Sequence, residues 1–88
     1  MARGITRDTG KDMTGGRNIQ GSPNVFANNR PVVRLFDKVQ PHGPGTHGGP
    51  RMASGSPNVF TNNKKTCRRG DVATCGHRAI GSSDTFVN

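Results

Sequence analysis

The chain has 88 residues, of which 28% are apolar; 13 are Gly and 6 are Pro, and neither Trp nor Tyr occurs. This composition excludes a large hydrophobic core, and small domains of this kind usually need a disulfide, a metal ion or an oligomer for stability. Thirteen Lys and Arg against five Asp give a net charge of +8, which favours anionic partners.

No stretch of the sequence approaches the ~20 apolar residues of a membrane-spanning helix, and no signal peptide pattern opens it. We therefore expect synthesis and folding in the cytoplasm. In that reducing compartment, the two cysteines are expected as free thiols or metal ligands, with a Cys67–Cys75 disulfide as the alternative.

A sequence motif of nine residues recurs along the chain. GSPNVFANN begins at Gly21, GSPNVFTNN at Gly55, and a shortened form, GSSDTFVN, at Gly81. Self-similarity of this kind marks one structural unit used repeatedly, because a single copy does not bury its own apolar face. We predict three hairpin-like repeats beginning at these glycines, in a single domain that covers residues 1–88.

The first repeat predicts two short strands joined by a tight turn. Val25–Phe26 and Val32–Phe36 are rich in β-branched and aromatic residues, and Asn28–Asn29 between them suits a hairpin turn. The second repeat places Asn62–Asn63 at the same point. The glycine that starts each repeat is expected to supply an unusual backbone angle. The Val-Phe pairs are expected to mark the core, with one member of each pair pointing to a shared axis.

No segment has a helical apolar period, so the predicted fold is all-β. Units that each hide a narrow face pack best around a common axis, which predicts a compact body with approximate threefold internal symmetry. Asp37 and Asp71 close the two full repeats at equivalent positions, and Asp8 is expected to be the third member of this set.

Four residues of the type that zinc prefers lie in the loops after the repeats: His42, His47, Cys75 and His77. The alternative interpretation is that the histidines are solvated and that Cys75 is a small buried apolar residue. Cys67 replaces Val33 of the first repeat and is expected to be a packing residue.

Catalytic patterns are missing from the sequence. It contains no Ser-His-Asp arrangement with the matching turn, no paired carboxylates that include Glu, and no phosphate-binding glycine loop. A zinc ion with four protein ligands has no open position for a substrate or water. The site is therefore predicted to be structural.

These residues resemble the PAAR-repeat proteins, which cap the central spike of contractile injection machines. The resemblance covers Gly21 to Asn88 and is carried by GSPNVFANNRPVVRLFD, by HGGP at His47, by the GD...CG pattern from Gly70 to Gly76 and by the closing GSSDTFVN. Pro31–Arg34 stands at the Pro-Ala-Ala-Arg signature. In the second repeat Lys65–Arg68 occupies that position, and Thr14 stands where the family often has a histidine.

The resemblance implies a small β cone, stapled near its sharp end by one structural zinc ion with three histidines and one cysteine. His42, His47, Cys75 and His77 make up that ligand set here. It further implies a non-enzymatic, membrane-piercing tip on the blunt end of a trimeric β-helical spike, one tip per trimer. The expected location is the tail tip of a phage virion or a type VI secretion spike, delivered into the target cell envelope.

The alternative function is a basic, zinc-stabilised module that binds nucleic acid. Scattered charge and the position of all four Phe within the repeats oppose it, because no aromatic ring is set aside to stack on bases. We expect no nucleic acid partner. A zinc hydrolase is a third candidate, and it needs an exchangeable water on the metal.

Overall fold

The computed structural model of the chain describes residues 3–8, 17–41, 43–45, 48–82 and 85–87. The strands in these ranges confirm the all-β prediction, and no helix there is long and apolar enough to cross a membrane. The six strands have two residues each: β1 Arg3–Gly4, β2 Phe26–Ala27, β3 Arg30–Pro31, β4 Phe60–Thr61, β5 Lys64–Lys65 and β6 Phe86–Val87.

The strands pair into three antiparallel hairpins, β2–β3, β4–β5 and β1–β6. The phenylalanine of each repeat has the same register, in the pairs Phe26–Pro31, Phe60–Lys65 and Phe86–Gly4. The third hairpin joins strands that are more than eighty residues apart in sequence. The shortened motif at Gly81 supplies only one strand of a hairpin, and β1 supplies the other. This pairing was not predicted, because residues 1–20 contain no copy of the motif.

The turns of the two local hairpins are equivalent, as predicted. The φ angle is 54° at Asn28 and 64° at Asn29, against 53° at Asn62 and 66° at Asn63. Two successive residues with positive φ form a type I′ turn, whose twist matches that of the flanking strands. Asn accepts this backbone region more readily than most residues, which explains the Asn-Asn pairs.

A ring of backbone hydrogen bonds ties the three repeats around one axis. The amide of Val33 donates to the carbonyl of Thr6, that of Thr6 to Cys67, and that of Cys67 to Val33, each at 3.0 Å. All three residues have 0% exposure. Neighbouring β-bridges follow the same cycle, in the pairs Arg7–Val32, Arg34–Thr66 and Ile5–Arg68. The chain therefore has approximate internal threefold symmetry.

The ring separates two small apolar clusters. Successive residues of an extended chain point to opposite sides, and accordingly Val32 belongs to one cluster and Val33 to the other. At the hairpin end the cluster consists of Ile5, Ala27 and Val32, with Val87 packed against it. At the loop end it consists of Val33, Val39, Met52, Cys67, Ala73 and Ala79, with Cys75 packed against it.

The phenylalanines lie on the surface, so the expectation that the Val-Phe pairs mark the core was wrong. The exposed fractions are 57% at Phe26, 56% at Phe60, 54% at Phe86 and 39% at Val25. The next residue of each local hairpin points inward instead, with 5% exposure at Ala27 and 6% at Thr61. Hairpins that approach the axis this closely leave room for a methyl or hydroxyl group but not for a phenyl ring.

The glycines at the start of the repeats also have a different role from the expected one. Neither Gly21 nor Gly55 has a positive φ angle. A Cβ atom at Gly21 would lie 2.8 Å from Cβ of Pro31, and one at Gly55 would lie 2.8 Å from Cβ of Lys65. Glycine is therefore required by the close approach of the partner strand.

Asp8 is not the third member of the aspartate set. Its amide donates to the carbonyl of Pro31 at 2.8 Å, just as the amide of Leu35 donates to that of Lys65 at 2.8 Å. Asp8 is therefore equivalent to Leu35 rather than to Asp37.

Candidate functional site

Cys75 and His77, two of the predicted zinc ligands, occupy a tight turn at the loop end. The amide of Gly76 donates to the carbonyl of Ala73 at 2.9 Å, and the amide of Ala73 to that of His77 at 2.9 Å. Gly76 has a φ of 92°, a left-handed conformation that suits glycine. The turn brings Cys75 Sγ to 3.6 Å from His77 Nδ1, with both residues partly exposed.

This separation fits a shared zinc ion. A tetrahedral ion with a Zn–S bond of about 2.3 Å and a Zn–N bond of about 2.0 Å holds the two donor atoms roughly 3.5 Å apart. A cysteine thiolate and a histidine ring nitrogen are also the donor types that zinc prefers. The spacing of Cys75 and His77 is thus compatible with a shared metal ion, and in the structure the two atoms form a hydrogen bond.

His42 and His47, the other two predicted ligands, lie outside the described residues. The segment that carries them begins and ends at a described pair, where the amide of Val39 donates to the carbonyl of Pro50 at 2.9 Å. In the part of the chain that the structure describes, no three potential metal ligands come together. The four-residue ligand set thus stays a prediction.

The end of this segment lies beside the turn that holds Cys75. The amide of Thr74 donates to the carbonyl of Arg51 at 2.8 Å, and the amide of Arg51 donates to Thr74 Oγ1 at 3.1 Å. The histidine-bearing segment therefore leaves and rejoins the described fold next to the cysteine and histidine of the second repeat.

Cys67 is a core residue, in agreement with the prediction. Its thiol donates to the carbonyl oxygen of Ser54, with Sγ at 3.4 Å. Burial raises the pKa of the Cys67 thiol, and the carboxylates of Asp71 and Asp37 raise it further. Both cysteines are free, so the alternative of a Cys67–Cys75 disulfide is not realised.

An arginine–aspartate clasp follows the ring in both full repeats. Arg34 Nε and Nη2 donate to the two carboxylate oxygens of Asp37 at 2.8 and 2.9 Å, and the Arg34 amide donates to Oδ2 at 2.8 Å. Arg68 and Asp71 repeat these contacts at 3.1, 3.0 and 2.7 Å. Burial acts to raise the pKa of Asp71, but the hydrogen bonds from Arg68 and Ser54 outweigh it and leave the pKa lowered.

The turn inside the first clasp holds a phenylalanine where the second has glycine. The φ angle is 71° at Phe36 and 90° at the equivalent Gly70. A side chain in this left-handed region costs about 1–2 kcal/mol. Phe36 nevertheless exposes 60% of its surface. The chain thus accepts backbone strain and displays the ring to solvent.

The three phenylalanines of the hairpins form a second candidate surface. Phe26, Phe60 and Phe86, which we call the hairpin phenylalanines, share one register position and are therefore related by the approximate threefold axis. Each exposes more than half of its surface. Sequence reasoning found their equivalence and missed their exposure, because a Phe in a short strand ordinarily marks a core.

Comparison with known protein families agrees with this architecture. The family model described as PAAR motif matches residues 10–87. No match was found among curated protein sequences. The match covers both local hairpins, both clasps, β6 and the Cys75–His77 turn, whereas β1 precedes it. The chain therefore belongs to the PAAR-motif family, which is associated with the spike tips of contractile injection systems.

Proposed function

We propose that the protein is the non-enzymatic tip of a contractile injection machine, where it caps and sharpens the blunt end of a trimeric β-helical spike. Family membership supports the association with spike tips. The observation that carries the finer assignment is the hydrogen-bond ring, because it gives a single chain approximate threefold symmetry. Symmetric interfaces normally pair equal numbers of copies. Because one chain carries three equivalent hairpins, a single copy can place one hairpin against each of the three spike subunits.

The hairpin phenylalanines are the surface we assign to this docking. They offer the same apolar ring to each of three subunits, and aromatic side chains often dominate the binding energy of protein interfaces. The hairpin end and the loop end have separate apolar clusters on opposite sides of the ring. Docking through the hairpins therefore leaves the loop end as the leading point, which enters the target cell envelope when the sheath contracts.

The loop end is where we propose one structural zinc ion, held by His42, His47, Cys75 and His77. The 3.6 Å spacing of Cys75 Sγ and His77 Nδ1 supports this assignment. When bound, the ion cross-links two loops that otherwise enclose only a small apolar cluster. Four protein ligands leave no coordination position for a substrate, so the proposed role of the metal is mechanical. The proposed location is a phage tail tip or a type VI secretion spike.

Native mass spectrometry of the protein mixed with its trimeric spike tests the docking proposal. We expect one tip per three spike chains. Exchange of the hairpin phenylalanines in F26S/F60S/F86S is expected to weaken the complex by at least about tenfold, as for aromatic residues that dominate an interface. The control is F36G, which removes an equally exposed ring that lies outside the hairpins. A 3:3 complex, or no complex with the wild-type tip, contradicts the proposal.

Metal analysis tests the zinc proposal separately. We expect about one zinc ion per chain, the content of a closed four-ligand site, and its loss in Cys75→Ala. Cys67→Val is the matched control, because Val33 occupies the equivalent position of the first repeat. Zinc-free wild-type protein, or equal zinc content in both variants, contradicts the assignment.

A further inference from the structure

The carboxylates of the described residues are all buried. Exposure is 9% at Asp8, 0% at Asp37 and 3% at Asp71, and the last two are held in the clasps. Seven cationic residues in the same ranges are exposed: Arg3, Arg17, Lys38, Arg51, Lys65, Arg69 and Arg78. The described surface is therefore cationic, with no exposed carboxylate among these residues to offset it.

Two of these cations flank an open groove. Lys38 and Arg51 stand opposite each other on an antiparallel bridge, where the Cβ atoms of opposite residues are about 5 Å apart and like charges destabilise the pair. Together with Ile19, which exposes 50% of its surface, they line a groove of about 390 Å³. The other described lining residues are Val39, Pro41, Gly49 and Pro50. The groove thus combines two adjacent positive charges with a mainly apolar floor.

Phe36 adjoins this groove. Its carbonyl accepts a hydrogen bond from Arg51 Nη1 at 3.2 Å, and its ring is the exposed one held at positive φ. Backbone strain persists where the surrounding structure imposes it, and it concentrates at functional positions. A strained, solvent-exposed phenylalanine whose backbone contacts one of the two groove cations therefore points to a use for its side chain.

The second repeat shows that the fold does not need these residues. The amide of Ile19 donates to the carbonyl of Lys38 as the amide of Ala53 donates to that of Val72, which makes the two pairs equivalent. Of the four residues, only Arg51 has an arginine at the equivalent position. Arg78 Nη1 donates to the carbonyl of Gly70 at 2.9 Å, as Arg51 Nη1 donates to that of Phe36. The equivalent residues are therefore Ala53 for Ile19, Gly70 for Phe36, Val72 for Lys38 and Arg78 for Arg51. The fold accepts small, neutral residues at three of these four positions, so the cationic and apolar patch is not required by the fold.

We propose that this patch, formed by Ile19, Phe36, Lys38 and Arg51, binds the phosphate headgroups of an anionic lipid membrane. The two cations meet the phosphates, and the exposed Phe and Ile side chains lie against the boundary of the acyl chains. Single-stranded nucleic acid carries the same phosphates, but it is bound by rows of stacking rings, and this patch has one. The proposal rests on the proposed function only for the moment at which the protein meets a membrane. Lipid binding itself does not require the spike.

Co-sedimentation with vesicles tests the proposal on the full chain. We expect binding to phosphatidylglycerol–phosphatidylcholine vesicles, none to phosphatidylcholine alone, and weakening as salt is raised, since exposed charges are screened. K38V is expected to bind about fivefold more weakly, as for the loss of one cation near an anionic surface. F36G/K38V, which carries the residues of the second repeat, is expected to bind more weakly still.

The decisive control is K38V/V72K, which moves one lysine between equivalent positions and keeps the net charge. Binding as weak as that of K38V supports the patch, whereas wild-type binding shows that only total charge matters and overturns it. Equal binding to neutral vesicles, or tighter binding to a single-stranded oligonucleotide than to anionic vesicles, also overturns it. F26S/F60S/F86S is expected to bind the spike more weakly and the vesicles as the wild type does, so failure of the docking proposal and failure of the lipid proposal are distinguishable.

Discussion

Removal of the Asp37 carboxylate is expected to be the most damaging single change in the described core. The residue is fully buried, and its two oxygens accept three hydrogen bonds from Arg34, whose side chain is only 8% exposed. Asp37→Ala leaves that guanidinium buried without its counter-ion, which costs about 3–5 kcal/mol. A domain of this size has a free energy of unfolding of about 4–13 kcal/mol. The variant is thus expected to lose about a quarter or more of its free energy of unfolding.

Differential scanning calorimetry is the suitable assay, because the chain has neither Trp nor Tyr as a fluorescent reporter. At about 4–8 °C per kcal/mol, the expected loss in Tm is roughly 12–40 °C. Arg34→Ala/Asp37→Ala is expected to lose less than the sum of the single changes, since no charge is left buried alone. Arg69→Ala, at an exposed position, serves as the control and is expected to stay within about 0.5 kcal/mol. A loss below about 1 kcal/mol in Asp37→Ala would refute the assignment of a buried ion pair.

The remaining predictions concern three other buried groups. Asn18 exposes 1% of its surface and its side-chain amide has no hydrogen-bond partner among the described residues, so Asn18→Leu is expected to raise the free energy of unfolding by about 1–3 kcal/mol; an unchanged Tm contradicts this. The pKa of Asp71 is lowered in the folded state, so its contribution to stability is present above the ordinary carboxyl range near pH 4 and is lost as the pH falls through the folded pKa. In Asp71→Asn, Tm is expected to depend less steeply on pH below about 4 than in the wild type. An unaltered slope of Tm against pH, measured by calorimetry, contradicts the lowered pKa of Asp71. In metal-free protein at pH 8, a thiol reagent is expected to modify Cys75 and to spare Cys67, whose pKa is raised by burial; equal rates contradict the core position.

Sequence predicted the parts of the fold that are coded locally. The Asn-Asn turns, the two local hairpins and the equivalence of the repeats follow from residues that are neighbours in the chain. The pairing of β1 with β6 did not, because Arg3–Gly4 carries no repeated motif and its partner lies at the other end of the sequence. The exposure of the hairpin phenylalanines was missed for a related reason: what faces the axis depends on how closely three hairpins approach it.

The candidate metal site shows the same division. The turn that joins Cys75 and His77 is local, and both residues were predicted as ligands from their donor chemistry and their position in a loop after the repeats. Their 3.6 Å spacing depends on the left-handed glycine between them, whose φ angle no composition argument supplies. The patch around Lys38 was missed altogether, since Ile19 and Arg51 are far apart in sequence and only cross-strand pairing brings them to Lys38.

The closure of the third hairpin has a consequence for the time course of folding. Thr6 completes the hydrogen-bond ring, and its neighbouring strand β1 is held by β6 through the pairs Arg3–Val87 and Gly4–Phe86. During synthesis, residues 3–8 leave the ribosome before β6 is made, and their pairing partner follows about eighty residues later. Pairings between such distant residues form slowly, because the entropy of the intervening chain must be lost before the contact forms. A partly synthesised chain accordingly has hairpins but no closed ring, and the molecule gains its rigidity in one late step.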